Sequence, residues 1–88
     1  MKKISSVNII HSSTRDYKET LSRCEKVIDE NGVIVRNVVA NQSQSDLKKL
    51  DSSADLILVI GGDGTMIGAI RDLSHLKTPF LGVNIGKI

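Results

Sequence analysis

The stretch Gly61-Gly62-Asp63-Gly64-Thr65 combines residue types that can hold an anion with one that can move a proton. Glycines permit a sharp turn and let backbone N–H groups approach anionic oxygens with no Cβ in the way. The stretch follows Leu56-Ile57-Leu58-Val59-Ile60, an apolar run without alternation that predicts a parallel strand covered on both faces. It precedes a predicted helix from about Thr65 to Leu73, whose amino terminus adds partial positive charge and favours phosphate. In open parallel sheets, ligands bind in the crevice beyond such strand ends. Asp63 is the unusual member, because a carboxylate in a phosphate-binding loop repels its ligand unless it has a second purpose. It could accept a proton from a substrate hydroxyl, or hold a cation that also touches phosphate. Either use suits phosphoryl transfer to an alcohol, where positioning and charge compensation carry most of the catalysis. The structural alternative is that Asp63 caps the next helix and the glycines only make a tight connection. Thr65 has the same alternative, as a helix-start hydroxyl, and Met66 is expected to pack.

Two better-known phosphate signatures are absent. The register is wrong for G-x-G-x-x-G, and the lysine and hydroxyl pair of G-x-x-x-x-G-K-S/T is missing. A second glycine-containing stretch, Gly82-Val83-Asn84-Ile85-Gly86, follows another predicted strand and permits close ligand approach along the same sheet edge. A plain turn explains it equally well, since Asn and Gly are frequent turn formers. His11, read as a loop residue after the first strand, and His75, in the polar end of a helix, share no metal-ligand spacing.

The elements that must position these groups alternate regularly. Val7 to Ile10 reads as a first strand, followed by the polar turn His11-Ser12-Ser13-Thr14. Tyr17, Leu21, Cys24 and Ile28 recur at helical spacing, and Asn31-Gly32 supplies a stop. Val33 to Val35 and Val38-Val39 predict a second strand, interrupted by Arg36-Asn37 and so nearer a sheet edge. Asn41 to Ser45 reads as a loop and Asp46 to Leu50 as a short helix with Leu47 and Leu50 on one face. In the helix after Asp63, Ile67, Ile70 and Leu73 are expected to face the sheet, and Phe80 to Val83 is expected to be another buried strand. The order predicts an α/β fold, an open, mostly parallel Rossmann-like sheet with flanking helices.

Composition narrows the partners. The 88 residues suffice for one domain, with 40% hydrophobic and 25% charged residues, as in soluble globular chains. A net charge of +2 and 2% aromatic residues argue against a nucleic-acid partner, which calls for a basic surface and stacking platforms. The single cysteine, Cys24, excludes an intrachain disulfide and lies on an apolar stripe, where packing is expected. No secretory apolar region is evident, and no run approaches the roughly 20 apolar residues needed to cross a membrane. A cytoplasmic location with no membrane partner is the expectation.

Taken together, IGGDGTMIGAIR at Ile60 to Arg71 and PFLGVNIGKI at Pro79 to Ile88 resemble the NAD kinases, ATP- or polyphosphate-dependent. Related lipid kinases and phosphofructokinases share similar glycine–aspartate loops; the second motif at this separation favours NAD kinase. The resemblance implies that Asp63 is the general base that takes the proton from the adenosine-ribose 2′-hydroxyl of NAD. That hydroxyl then attacks the terminal phosphate of ATP or polyphosphate to give NADP. It implies that Gly64 contacts the dinucleotide and that Gly61 and Gly62 shape the loop. Thr65, Gly68, Asn84 and Gly86 fall at binding positions of the two loops. Mg²⁺ or another divalent cation is expected to arrive with ATP, with no metal site of the protein's own. The family's downstream Asn-Glu/Asp motif and mostly β domain, which supply much of the NAD pocket and the subunit interface, have no counterpart in these 88 residues. Residues 1–88 are therefore expected to be a partial amino-terminal nucleotide-binding domain, inactive alone and homo-oligomeric when full length. The alternatives are a non-catalytic fragment with weak nucleotide binding and a related lipid or sugar kinase.

Overall fold

A four-stranded, all-parallel sheet with strand order β2-β1-β3-β4 organises the chain. Its elements run β1 (Ser6–His11), α1 (Lys18–Glu30), β2 (Ile34–Ala40), β3 (Leu56–Gly61), α2 (Asp63–Leu73), a 3-10 turn (Ser74–Leu76) and β4 (Phe80–Asn84). The computed structural model describes residues 3–13, 16–41, 47–48, 50 and 53–85. The predicted α/β class, the parallel sheet and the flanking helices are all present.

Alternation along the two central strands sorts the core into two layers. Val7 and Ile9 of β1 and Leu58 and Ile60 of β3 share one face, where Tyr17, Leu21, Cys24 and Ile28 of the α1 side pack. Ile10, Ile57 and Val59 share the other face with Ala69 and Leu73 of α2. Connections of one hand explain this division. The β1–α1–β2 unit steps one way along the sheet and β3–α2–β4 steps the other, so their helices cover opposite faces. Both central strands are thus buried on both sides, as the unbroken apolar run of β3 predicts. Burial pushes the Cys24 thiol above its usual value, with the charge of Glu25 adding to the effect. Packing, not nucleophilic chemistry, suits it.

At the far side, β2 is an edge strand, as its polar interruption suggests, but it is continuous through Arg36 and Asn37. A register shift between Val7 and Asn8 absorbs one extra residue of β2, so Val35 and Val38 both stay paired with β1. At the sheet's amino edge, the Asp55 carboxylate accepts hydrogen bonds from the backbone N–H groups of Ser5 and Ser6, at 2.8 and 3.2 Å. Of the short helix expected at 46–50, residues 46 and 49 lie outside the described residues. Leu47 and Leu50 are buried in the α2-side core, joined by a hydrogen bond from the Leu50 N–H to the Leu47 carbonyl.

Four expectations need correction. His11 is the last residue of β1 and buried, because Ser12 extends the β1–β3 pairing with a 2.8 Å bond from its N–H to the Ile60 carbonyl. The helix after the glycines begins at Asp63, not Thr65. Phe80 to Asn84 is a half-exposed edge strand, since it pairs with β3 alone among the described residues. Ile67 and Ile70 face outward, at 64% and 42% exposure, while Met66, Ala69 and Leu73 face the sheet. Both isoleucines lie one residue, about 100°, round from that inner face. Ala69, fully buried, lets the helix axis come close to the sheet.

Candidate functional site

The carboxyl ends of β3 and β4 open into a cleft of about 170 Å³ lined by Val59, Gly61, Gly62, Asp63, Met66, Gly82, Val83 and Asn84. It is built from the turn between β3 and α2. Gly61 ends β3, Gly62 is the extended N-cap of α2, and Asp63 is the first helical residue. A Cβ on Gly61 would lie 2.6 Å from Thr65 Oγ1, 2.8 Å from its Cβ and 3.0 Å from its Cγ2. Only glycine lets the first turn of α2 fold back this closely over the strand end.

That crossing gives a direct stability test. Gly61→Ala is expected to destabilise the fold by about 1–3 kcal/mol, the usual cost of overpacking. Thr65→Ala should not relieve the loss, because the Thr65 Cβ itself is in the way, whereas Thr65→Gly should restore part of it. Urea unfolding of the single and double variants checks both statements.

Asp63 is exposed, and among the described residues its carboxylate has no hydrogen-bond or ion-pair partner. Gly62 is the N-cap, and no side chain among the described residues caps the helix. The first-turn N–H groups, which lack intrahelical partners by geometry, are therefore open to an anion. Met66 closes the turn through its N–H to the Gly62 carbonyl at 3.2 Å. Asp63 thus sits beside an anion-receptive helix start without serving as its cap.

Of the residues singled out in the sequence, Gly61, Gly62, Asp63 and Asn84 meet in the cleft. Gly64 is exposed in the first turn of α2, next to Asp63 but outside the cleft lining. Thr65 is half-buried and turned onto Gly61, and its carbonyl accepts a 3.4 Å hydrogen bond from Asn41 Nδ2. Gly68 is buried one turn further on, its missing Cβ 3.5 Å from Asn41 Nδ2. Gly86 lies outside the described residues.

Three cleft residues carry no sequence signal of their own. Met66 reads as a packing residue and does pack, yet it also lines the cleft. Val59 and Val83 read only as strand residues. Asn41, at the end of β2, ties that strand to α2; its place just past a predicted strand was the available clue. Where the strand order reverses, between β1 and β3, the His11 ring stacks on Tyr17 at 3.8 Å and 14°. Its Nδ1 lies 2.9 Å from the Ser12 carbonyl, which can only accept, so Nδ1 carries the proton.

A parallel sheet wound on both faces, with a glycine–aspartate turn at its carboxyl edge, defines a Rossmann-like α/β domain. Residues 3–88 match the ATP-NAD kinase N-terminal domain. An NAD kinase of Clostridium botulinum is 39% identical over 84 residues, covering 93% of this chain and 29% of that protein. One of Azotobacter vinelandii is 31% identical over 86 residues, covering 98% of this chain and 29% of its own length. The chain belongs to the NAD kinase family, through its N-terminal domain. It spans less than a third of the length of these relatives. Among the described residues, no helix is long and apolar enough to cross a membrane.

Proposed function

We propose that this chain supplies the proton-accepting half of a site that phosphorylates NAD at the adenosine-ribose 2′-hydroxyl. The observation that carries this reading is Asp63, free of partners among the described residues and placed in the cleft at the start of α2. Asp63 takes the hydroxyl proton as the ribose oxygen forms a bond to the terminal phosphorus of the donor. The bond from that phosphorus to its bridging oxygen breaks, and ADP or a shortened polyphosphate leaves. A base in this role must come within about 2.6–3.2 Å of the hydroxyl. The uncapped N–H groups of α2 lie beside it to receive phosphate oxygens. Gly61 and Gly62 shape the turn, Gly64 gives the dinucleotide close access to the backbone, and Asn84 offers an amide from the neighbouring strand end.

A cleft of 170 Å³ is smaller than the roughly 300–1,000 Å³ of complete ligand pockets, so it takes part of the dinucleotide, its ribose first. The longer polypeptide of the relatives offers the remainder of the pocket and the contacts of a homo-oligomer. Among the described residues, Asp63 is the only carboxylate lining the cleft, and no cluster of three metal-ligating side chains occurs. That donor set fits a divalent cation that comes with ATP and keeps phosphate oxygens as its main ligands.

Gly64→Ala in the natural gene product tests the close-access role. A Cβ at Gly64 meets nothing within 4 Å, and alanine is the better helix former by up to about 1 kcal/mol. Thermal stability should hold or rise, while NAD affinity should fall about tenfold as the added methyl blocks the approach. Unchanged affinity by calorimetry would remove Gly64 from the site.

A further inference from the structure

We propose that Met66 and Gly82 together set how far the ribose enters the cleft beside Asp63, which makes Met66 a specificity-determining residue. The proposal rests on the NAD-phosphorylating reading above. Met66 stands three residues after Asp63 in α2, so both side chains belong to the same side of the helix, and both line the cleft. Across from it, Gly82 of β4 pairs with Val59 of β3 and presents bare backbone. A Cβ on Gly82 would lie 2.9 Å from Met66 Cε, 3.5 Å from Sδ and 4.0 Å from Cγ. The terminal methyl of Met66 therefore rests directly on the Gly82 backbone.

The surroundings decide what happens when that support changes. Behind Met66 is the packed cluster of Ile10, Ile57, Val59 and Ala69. In front of it is the cleft. A thioether side chain has three rotatable bonds and yields easily, but packed interiors do not. Any residue larger than glycine at position 82 pushes the methyl forward, into the space that receives the ribose. Glycine at 82 keeps Met66 retracted, and Met66 in turn closes the floor at the depth that brings a 2′-hydroxyl level with Asp63.

The test is steady-state kinetics of the natural gene product carrying Gly82→Ala, alone and with Met66→Leu. Leucine ends about where Sδ lies and lacks the Cε that makes the 2.9 Å contact. Gly82→Ala is expected to raise KM for NAD about tenfold or more, as for one misplaced methylene in a pocket. KM for the phosphate donor and the unfolding temperature should stay near those of the parent. Adding Met66→Leu should bring KM for NAD back toward the parent value. An unchanged KM for NAD in Gly82→Ala, or no recovery in the double variant, would overturn the proposal while leaving the proposed reaction intact. A Gly82→Ala protein that unfolds would overturn it too, since the methyl would then have no room to move into the cleft. A parent protein that forms no NADP would overturn both.

Discussion

Asp63→Asn in the natural gene product is expected to lower turnover by about 10²–10⁴-fold, the usual worth of a general base, with NAD affinity nearly unchanged. Asparagine keeps the shape and hydrogen-bonding reach of the side chain but cannot take the ribose proton. Little else should change. Asp63 is exposed and has no partner among the described residues, so no internal hydrogen bond or ion pair among them is broken. It does lie in the first turn of α2, where a negative charge favours the helix by about 0.3–1 kcal/mol. The unfolding free energy should therefore fall by no more than that. The capping explanation makes a different forecast: turnover is retained, since asparagine caps a helix about as well as aspartate. Kinetics separates the two, thermal unfolding of the same preparation checks the stability, and wild-type turnover in the variant would remove Asp63 as the base.

A second large effect is expected in the core that holds the turn in place. Ile60 is fully buried, packed among Val7, Ile9, Leu58 and Ile85 beneath α1, and it directly precedes Gly61. Ile60→Ala is expected to destabilise the protein by about 2–5 kcal/mol, from lost burial and the cavity left behind. A domain has only about 5–15 kcal/mol of net stability, so this is a large fraction. Ile67→Ala, at a position 64% exposed, should change stability by less than about 0.5 kcal/mol. Urea midpoints of the two variants measure the contrast. Equal losses would mean that α2 presents a different face to the sheet.

That contrast also marks where the sequence stops being sufficient. The apolar run at Leu56 to Ile60 and the stripe through Tyr17, Leu21, Cys24 and Ile28 state their packing outright, and both lie where expected, the strand in the core and the stripe half-buried against it. In α2 the residues 66, 67, 69, 70 and 73 allow two apolar faces, and bulk alone favours the isoleucines. Close approach of helix to sheet chooses the face with Ala69 instead, and spacing cannot express that distance. The edge position of β4 was hidden for a similar reason, because Phe80 to Val83 reads as apolar whether or not a neighbour covers it. In the site, the turn from Gly61 to Asp63 was legible, since glycine and aspartate at a strand end have few common purposes. Its meeting with Asn84 and Gly82 depends on β3 and β4 lying side by side, which the order of elements permits but does not require. The role of Gly61 as a crossing point for Thr65 is a matter of ångströms and appears only in three dimensions.

The most direct measurement is product analysis of the purified natural gene product incubated with NAD and a γ-labelled phosphate donor. A parallel reaction with a dinucleotide lacking the adenosine 2′-hydroxyl serves as the control. NADP carrying the label on the 2′-oxygen, with no labelled product from the deoxy analogue, is the expected result. Label transferred equally to the deoxy analogue, or to a lipid or sugar alcohol and not to NAD, would contradict the assignment of Asp63 as the base for the ribose hydroxyl.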